Sequence, residues 1–397
     1  MDASAQRQWI VLLAVVCLLV GWNYWLDRFF FSTPFAVYGS GFGDFEIYRV
    51  AAASWLSHGN PYMDSPGFIY PPTSLPFFAL YAMLPFHLAG QVWWITYFVF
   101  FVAVSISLCL TLKNGNRRLL FGTILTLFFF TSYPLLALFQ LGQADLLAEA
   151  LAVFALVLER SRHKFESAAI LSFSVLLKGP AVLLLAYFVL FRKDFSYLLR
   201  FLVSALAIVG VSMLVVPMSD YWYYLTRVLP TFSIINNANS NQSVGGLMSA
   251  AKFGPVTSII SFGGYVVFAL FSYWAGARRL PFNLENFSAD AMFLMNVLIM
   301  LLFDPRATIY PYVWVILPLP LFLSAILVER VRSVFLAVLG FGAFLLNSTL
   351  VPSSLNYQVL PLEVIGNMIS CSSLVLLYVH PSVAYWKKPG IEEERLR

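Results

Sequence analysis

Long apolar stretches separated by short polar ones run through the whole 397-residue chain. Uncharged runs at 9–26, 90–112, 119–144 and 253–277 approach or exceed the roughly 20 residues that a helix needs to cross a bilayer. We therefore expect an all-α polytopic membrane protein, a bundle of about 11 to 12 transmembrane helices. The predicted spans are 9–26, 91–112, 119–135, 144–159, 201–217, 254–277, 290–303, 307–328, 333–351 and 362–380, with a hairpin of two short helices at 167–177 and 180–191.

The composition excludes a soluble globular protein. Hydrophobic residues make up 60% of the chain and charged residues only 11%, against roughly 25% charged residues in soluble domains. The three cysteines all lie inside apolar segments and predict no disulfide framework. We expect a single transmembrane domain over residues 1–397, ending in a cytoplasmic tail at 381–397.

The positive charges predict the orientation in the membrane. With a cytoplasmic N-terminus, most of the 24 lysines and arginines fall on the cytoplasmic side, as the positive-inside rule requires. The net charge of +5 therefore reflects topology and does not indicate a nucleic-acid partner. Six cations remain outside or at membrane depth: Arg28, Arg49, Lys178, Arg227, Lys252 and Arg306.

Two long stretches, 27–89 and 218–252, lie outside in this topology and are too polar or too rich in proline to be spans. The first contains Asp44 at the start of a short helix, with Tyr48 one turn later on the same face. Asp44 could be an N-cap, which accepts hydrogen bonds from the first helical turn. It could also be a general base in a lipid-shielded cleft, because partial burial raises a carboxyl pKa. The two roles are compatible.

Several short motifs, in order and spacing, form a more specific pattern. Gly43-Asp44-Phe45 with Tyr48, Gly59-Asn60-Pro61-Tyr62 and Tyr70-Pro71-Pro72 resemble the first luminal loop of glycosyltransferase family 87 in the GT-C superfamily, the polyprenyl-phosphate-mannose-dependent mannosyltransferases. Further elements that look like family motifs are Gly142-Gln143-Ala144-Asp145, Leu177-Lys178-Gly179-Pro180 and Asn241-Gln242-Ser243.

The resemblance implies a GT-C-like bundle with short juxtamembrane helices in the first outer loop. It also suggests a phosphate-binding role for Lys178, which stands between two runs too short to cross the membrane and needs an anionic partner. That partner could be the donor phosphate, or instead Asp145 or Glu149, or the side chain could reach an interface. Arg227 and Arg306 are further candidate phosphate ligands; the alternatives are an interfacial aromatic belt around Arg227 and a local pair of Arg306 with Asp304.

The candidate sugar or acceptor contacts are Tyr48, Tyr70, Gln143, Asp145, Asn241 and Gln242. Gln143 and Asp145 could equally cap the next helix, and the amide-rich loop containing Asn241 could be an ordinary solvated loop. Residues 305–312 contain no histidine, although the family often has one there. Asp44 and Glu46 would diverge by about 200° on a helix, so no metal is predicted, and no cofactor.

These observations predict an integral-membrane glycosyltransferase with Asp44 as general base, moving a polyprenyl-phosphate-linked sugar, mannose by resemblance, to a lipid or glycan acceptor with inversion. The expected location is the extracytoplasmic face of a bacterial inner membrane, with membrane lipids as neighbours. The alternatives are a transporter or flippase of lipid-linked sugars, which would also use broken helices, and a structural assembly subunit without activity.

Overall fold

The computed structural model describes residues 43–233, 243–250, 256–277, 287–304, 310–329 and 362–379. Throughout these ranges the regular structure is helical and contains no strand. The prediction of an all-α polytopic membrane protein is confirmed. The spans predicted at 9–26 and 333–351 and the tail at 381–397 lie outside the described residues.

The first outer loop folds into short helices. Helix α1 spans Gly43–Leu56, α2 spans Pro61–Asp64, a 3₁₀ turn spans Pro72–Ser74, and α3 spans Leu75–Ala82. The side chain of Asn60 caps α2 by accepting from the backbone N–H groups of Tyr62 and Met63, as an N-cap residue does. The buried face of α1, which carries Phe45 and Tyr48, packs on α3.

A long helix and an interrupted one follow the loop. Helix α4 spans Phe86–Thr111, α5 spans Gly115–Thr131 and α6 spans Tyr133–Leu141. The span predicted at 119–135 therefore ends early, and a separate short helix follows it. The physical reason is local: Ser132 caps α6 by accepting from the N–H of Leu135, and Pro134 suits the first turn of a helix but not its interior.

Helices α7 (Asp145–Arg160) and α8 (Lys164–Leu177) pack against each other at the centre. Serines of α8 make this close contact possible, since Ser167 and Ser174 donate to α7 carbonyls at 2.7 Å each, a common device between membrane helices. A 3₁₀ turn at Gly179–Leu184 and a π-helical turn at Ala186–Phe191 complete the hairpin. Lys164 at its start pairs with Asp194 after its end at 2.6 Å, so the hairpin returns to the side on which it begins.

The remaining helices surround this centre. Helix α13 (Phe287–Phe303) is buried along nearly its whole length and contacts α12 (Val256–Ala275), α14 (Pro318–Glu329) and α15 (Leu362–Val379). By contrast, α4 and α9 (Phe195–Ser212) expose many large apolar side chains, as lipid-facing helices do. Three described helical segments are long and apolar enough to span a membrane: Phe86–Thr111, Phe195–Ser212 and Pro311–Val328. In chain order, the described elements after the hairpin are α9 (Phe195–Ser212), α10 (Met218–Tyr223), a π-helical turn (Tyr224–Val228), a 3₁₀ turn (Leu229–Ser233), α11 (Val244–Ala250), α12 (Val256–Ala275), α13 (Phe287–Phe303), a 3₁₀ turn (Tyr310–Val315), α14 (Pro318–Glu329) and α15 (Leu362–Val379).

Candidate active site

Polar side chains from the first outer loop and from two helix ends meet at the N-terminal end of α7. The turn between α6 and α7 supplies Gln143, and Asp145 is the first residue of α7. Gly142 ends α6 in a left-handed conformation, with φ of 70°, which glycine adopts without strain. Trp93 of α4 fixes the turn by donating its indole N–H to the Gly142 carbonyl at 3.0 Å, and the Tyr97 hydroxyl donates to the Gln143 carbonyl.

Gln143 joins the loop to the turn. Its Nε2 donates to Oδ2 of Asp44. Its Oε1 accepts from the hydroxyls of Tyr48 at 2.7 Å and Tyr70 at 3.1 Å. Because Gln143 is 5% exposed and both ends of its amide are bonded, the side chain is well placed to orient the Asp44 carboxylate.

Lys178 and Asp145 form the other half of the cluster. Nζ of Lys178 lies 2.9 Å from Oδ2 of Asp145 and 3.2 Å from the Tyr70 hydroxyl. Asp145 also accepts from the indole N–H of Trp314 at 3.1 Å. Lys178 directly follows the last residue of α8, so the helix break that the sequence predicts puts its ammonium in the cluster. Of the two anionic protein partners considered for Lys178, the structure shows Asp145.

Burial governs the electrostatics of the outer-loop groups. It raises the pKa of the Asp44 carboxyl above its ordinary value of 3.8; the hydrogen bond from Gln143 and the charge of Lys178 act in the opposite direction. Burial also raises the pKa of Tyr48 well above its ordinary value, so this phenol remains neutral. A carboxyl of raised pKa that stays partly accessible is suited to accepting a proton near neutral pH.

The sequence predicts ten site residues, and the structure brings six of them together in one hydrogen-bonded cluster. Arg227 does not contact the cluster, and it lines a separate pocket. Asn241, Gln242 and Arg306 lie outside the described residues. In the part of the chain that the structure describes, no three histidine, cysteine or acidic side chains come together as a metal site. The six residues of the cluster are Asp44, Tyr48, Tyr70, Gln143, Asp145 and Lys178.

Three contributors were not singled out in the sequence. Trp93 and Tyr97 lie in a long apolar helix, and Trp314 lies in an apolar aromatic run, Tyr310-Pro311-Tyr312-Val313-Trp314. Their indole and phenol groups bond to the turn and to Asp145. In a membrane protein an aromatic residue has many ordinary roles, so its sequence position carries no signal for such a contact.

Apolar helices long enough to span a membrane, with a polar cluster of carboxylates, lysine, amide and tyrosines at the N-terminal end of the central helix, define the class: an all-α integral-membrane protein. Residues 68–305 match the model of Glycosyltransferase family 87. The match covers more than half of the chain, and the protein belongs to this family of GT-C-type glycosyltransferases, as the motif resemblance predicts. None of the curated proteins compared with the chain is significantly similar to it.

Proposed function

We propose that the protein transfers a sugar, mannose in the first instance, from a polyprenyl-phosphate donor to a hydroxyl of a lipid or glycan acceptor. Family membership supports sugar transfer. The observation that carries the more specific proposal is the continuous hydrogen-bonded path from Asp44 through Gln143 and Tyr70 to Lys178. It joins a candidate base to a candidate phosphate ligand within one cluster.

In the proposed reaction Asp44 accepts the proton of the acceptor hydroxyl as that oxygen attacks the anomeric carbon. The bond between the anomeric carbon and the phosphate oxygen breaks, and the electron pair leaves with the polyprenyl phosphate. Lys178 stabilises the charge that develops on this phosphate, with Arg306 as a second candidate ligand. A single displacement inverts the anomeric centre.

Tyr48, Tyr70, Gln143 and Asp145 have positioning roles in this proposal. Gln143 orients Asp44, and Asp145 holds the ammonium of Lys178. Tyr70 contacts both Gln143 and Lys178, and its ring also lies 5.3 Å from the Lys178 ammonium. Asn241 and Gln242 remain proposed sugar contacts on sequence grounds.

The distribution of charged groups along α7 supports an extracytoplasmic site. Asp145 begins this 16-residue helix and Arg160 ends it, roughly 22 Å away along the helix axis. Near the Arg160 end lie further cations, with Arg117 beside Asp290 and Arg192 beside Glu159. Because positive charge marks the cytoplasmic side, this distribution favours the opposite face for the Asp44 cluster.

The test is transfer of radiolabelled mannose from polyprenyl-phosphate-mannose to membrane acceptors by the purified protein in lipid vesicles. Asp44→Asn keeps an oxygen that can accept from Gln143 but removes the base, so we expect transfer to fall about 10²- to 10⁴-fold. Glu46→Gln is the matched control. Glu46 lies on the same helical turn, pairs with Arg49 at 2.9 Å and should leave the rate unchanged.

Binding of sugar-free polyprenyl phosphate, measured by its stabilisation of the protein against heat, should be at least as strong in Asp44→Asn as in wild type, because the variant removes a negative charge from the cluster. Undiminished transfer by an Asp44→Asn protein would refute Asp44 as the base. If wild type transfers no sugar from mannose, glucose or arabinose donors but moves lipid-linked sugar across the vesicle membrane, the proposed reaction is wrong and transport is the function.

A further inference from the structure

A second concave site lies beside the Asp44 cluster. It has a volume of about 280 Å³. One wall comes from the first outer loop and the other from the segment after α10. Tyr62 and Tyr223 stack across it, with ring centroids 5.7 Å apart and an interplanar angle of 14°. Its lining residues are Tyr62, Pro66, Phe68, Ile69, Tyr223, Arg227, Val228 and Thr231.

Arg227 is the charged group of this pocket, and its guanidinium is exposed. It makes no hydrogen bond or ion pair within the ranges that the structure describes. The structure describes two other cations of this region, Arg49 in the first outer loop and Lys178 at the break after α8. Both are already paired: Arg49 with Glu46 and Lys178 with Asp145, each at 2.9 Å. A guanidinium offers a planar fork of donors that matches a phosphate, so the pocket has the charge for a phosphate ligand.

The segment that forms one wall of the pocket has an exposed apolar face. Met218, Trp222, Leu225 and Leu229 follow one another at intervals of three or four residues and are 43 to 67% exposed, so they form one apolar face. The opposite face, with Asp220 and Tyr221, is buried. A helical segment with an outward apolar face and a tryptophan lies in the membrane interface. Arg227 sits in its π-helical turn, a distortion often found at functional sites.

Asp220 is the acidic group on this segment, and it does not line the pocket. Burial raises its pKa, which favours the neutral acid and reduces repulsion of an anion nearby. Thr231 adds a hydroxyl oxygen whose own proton is donated to the Val228 carbonyl at 2.7 Å. The pocket therefore combines one exposed cation with aromatic and apolar walls.

A single extended segment separates the pocket from the Asp44 cluster. Phe68 and Ile69 line the pocket, while the hydroxyl of the next residue, Tyr70, contacts Gln143 and Lys178. Tyr62 reinforces this wall by donating its hydroxyl to the Tyr70 carbonyl at 2.9 Å. The two cations, Lys178 and Arg227, therefore serve two neighbouring but distinct sites.

We propose that the Arg227 pocket binds the phosphate of a second membrane lipid, distinct from the sugar donor. The distinction rests on the proposed function, which assigns the donor phosphate to Lys178. The apolar walls contact the first part of the lipid chain, and Arg227 holds the phosphate at the level of the interface. A lipid held there lies next to the cluster that contains Asp44.

The lipid proposed for the Arg227 pocket can be tested by photolabelling with a dodecyl phosphate that carries a diazirine on its chain. The full-length protein is labelled in phosphatidylcholine nanodiscs, and the labelled peptides are mapped by mass spectrometry. We expect labelling in 62–69 and 223–231. Arg227→Gln should reduce it at least about tenfold, the factor for loss of one charge-assisted hydrogen bond. Arg227→Lys, which keeps the charge without the fork, should give an intermediate value. Arg49→Gln is the control: Arg49 lies on α1 and is already paired with Glu46, so this variant should have no effect.

Competition identifies the source of the phosphate. Phosphatidylglycerol should displace the label from this pocket, and polyprenyl phosphate should not. Displacement by polyprenyl phosphate, or loss of this labelling in Lys178→Gln, would assign the pocket to the donor and overturn the proposal. Labelling spread over all exposed apolar helices and unchanged in Arg227→Gln would also overturn it. Because the readout is binding, these outcomes are separate from the Asp44→Asn transfer assay.

Discussion

The hydrogen bond from Gln143 to Asp44 should set the pH at which the enzyme becomes active. The amide of Gln143 donates to the carboxylate, which favours the ionised form and lowers the Asp44 pKa against the effect of burial. Gln143→Leu removes this donor and keeps a side chain of similar volume. The pKa of Asp44 should therefore rise, and a higher pH should be needed to ionise the base.

The size of the shift follows from the strength of the bond. A hydrogen bond to a charged group contributes about 1.5 to 3 kcal/mol, and 1.36 kcal/mol corresponds to one pKa unit, so the expected rise is about 1 to 2 units. Folding should tolerate the change, because the Tyr48 and Tyr70 hydroxyl oxygens lie 2.7 Å apart, so that one hydroxyl can donate to the other once Gln143 is lost as their acceptor.

The assay is kcat/KM for sugar transfer as a function of pH, since its acidic limb reports the base of the free enzyme. In Gln143→Leu this limb should move to higher pH, and the rate at high pH should stay below that of wild type because Gln143 no longer orients Asp44. The matched control is Gln91→Leu. Gln91 lies on α4 and has no side-chain hydrogen bond within the described ranges. An unmoved limb, a limb moved to lower pH or an equal shift in Gln91→Leu would refute the reasoning.

Three further predictions concern stability, measured as Tm in detergent. Lys178→Met leaves the 1%-exposed Asp145 carboxylate without its cation and should cost about 3 to 5 kcal/mol; Lys178→Met/Asp145→Asn should restore much of the Tm but not transfer. Trp314→Phe removes the indole donor to Asp145 and should cost about 1 to 3 kcal/mol, whereas Trp222→Phe, on the exposed face of α10, should cost little. Asp290→Asn removes the charge that Arg117 and Arg160 share and should cost about 3 to 5 kcal/mol without moving the pH profile of transfer.

The parts of the fold that sequence reasoning predicted depend on local physics. The break at Lys178 follows from two apolar runs too short to cross the membrane and from Gly179-Pro180, and α8 does end at Leu177. The end of α1 at Leu56 follows from the Gly59-Asn60-Pro61 stop signal that comes after it. The break at Ser132 also has a local signal, in Pro134, but an uninterrupted apolar composition on both sides concealed it.

Most long-range contacts could not be predicted from the sequence, because the periodicity of hydrophobic residues does not report which elements meet. Gln143 and Asp44 are 99 positions apart, and Trp314 and Asp145 are 169 apart. The contacts of Arg117 and Arg160 are also long-range, and the positive-inside rule counts both residues only as cytoplasmic charges. They are in fact buried around Asp290, so part of the positive charge counted for topology also joins α5, α7 and α13.

The charges of the cluster explain why a carboxylate base and a paired lysine suit the proposed reaction. Before transfer the donor phosphate is a diester with one negative charge, and afterwards it is a monoester able to carry a second. Asp145 already balances Lys178, so this pair alone supplies no extra positive charge to match the gain. The proton that Asp44 takes from the acceptor removes one negative charge from the same cluster, a few hydrogen bonds from Lys178. Base and leaving group are thus electrostatically coupled, and neutralising Asp44 permanently should weaken catalysis while leaving phosphate binding intact.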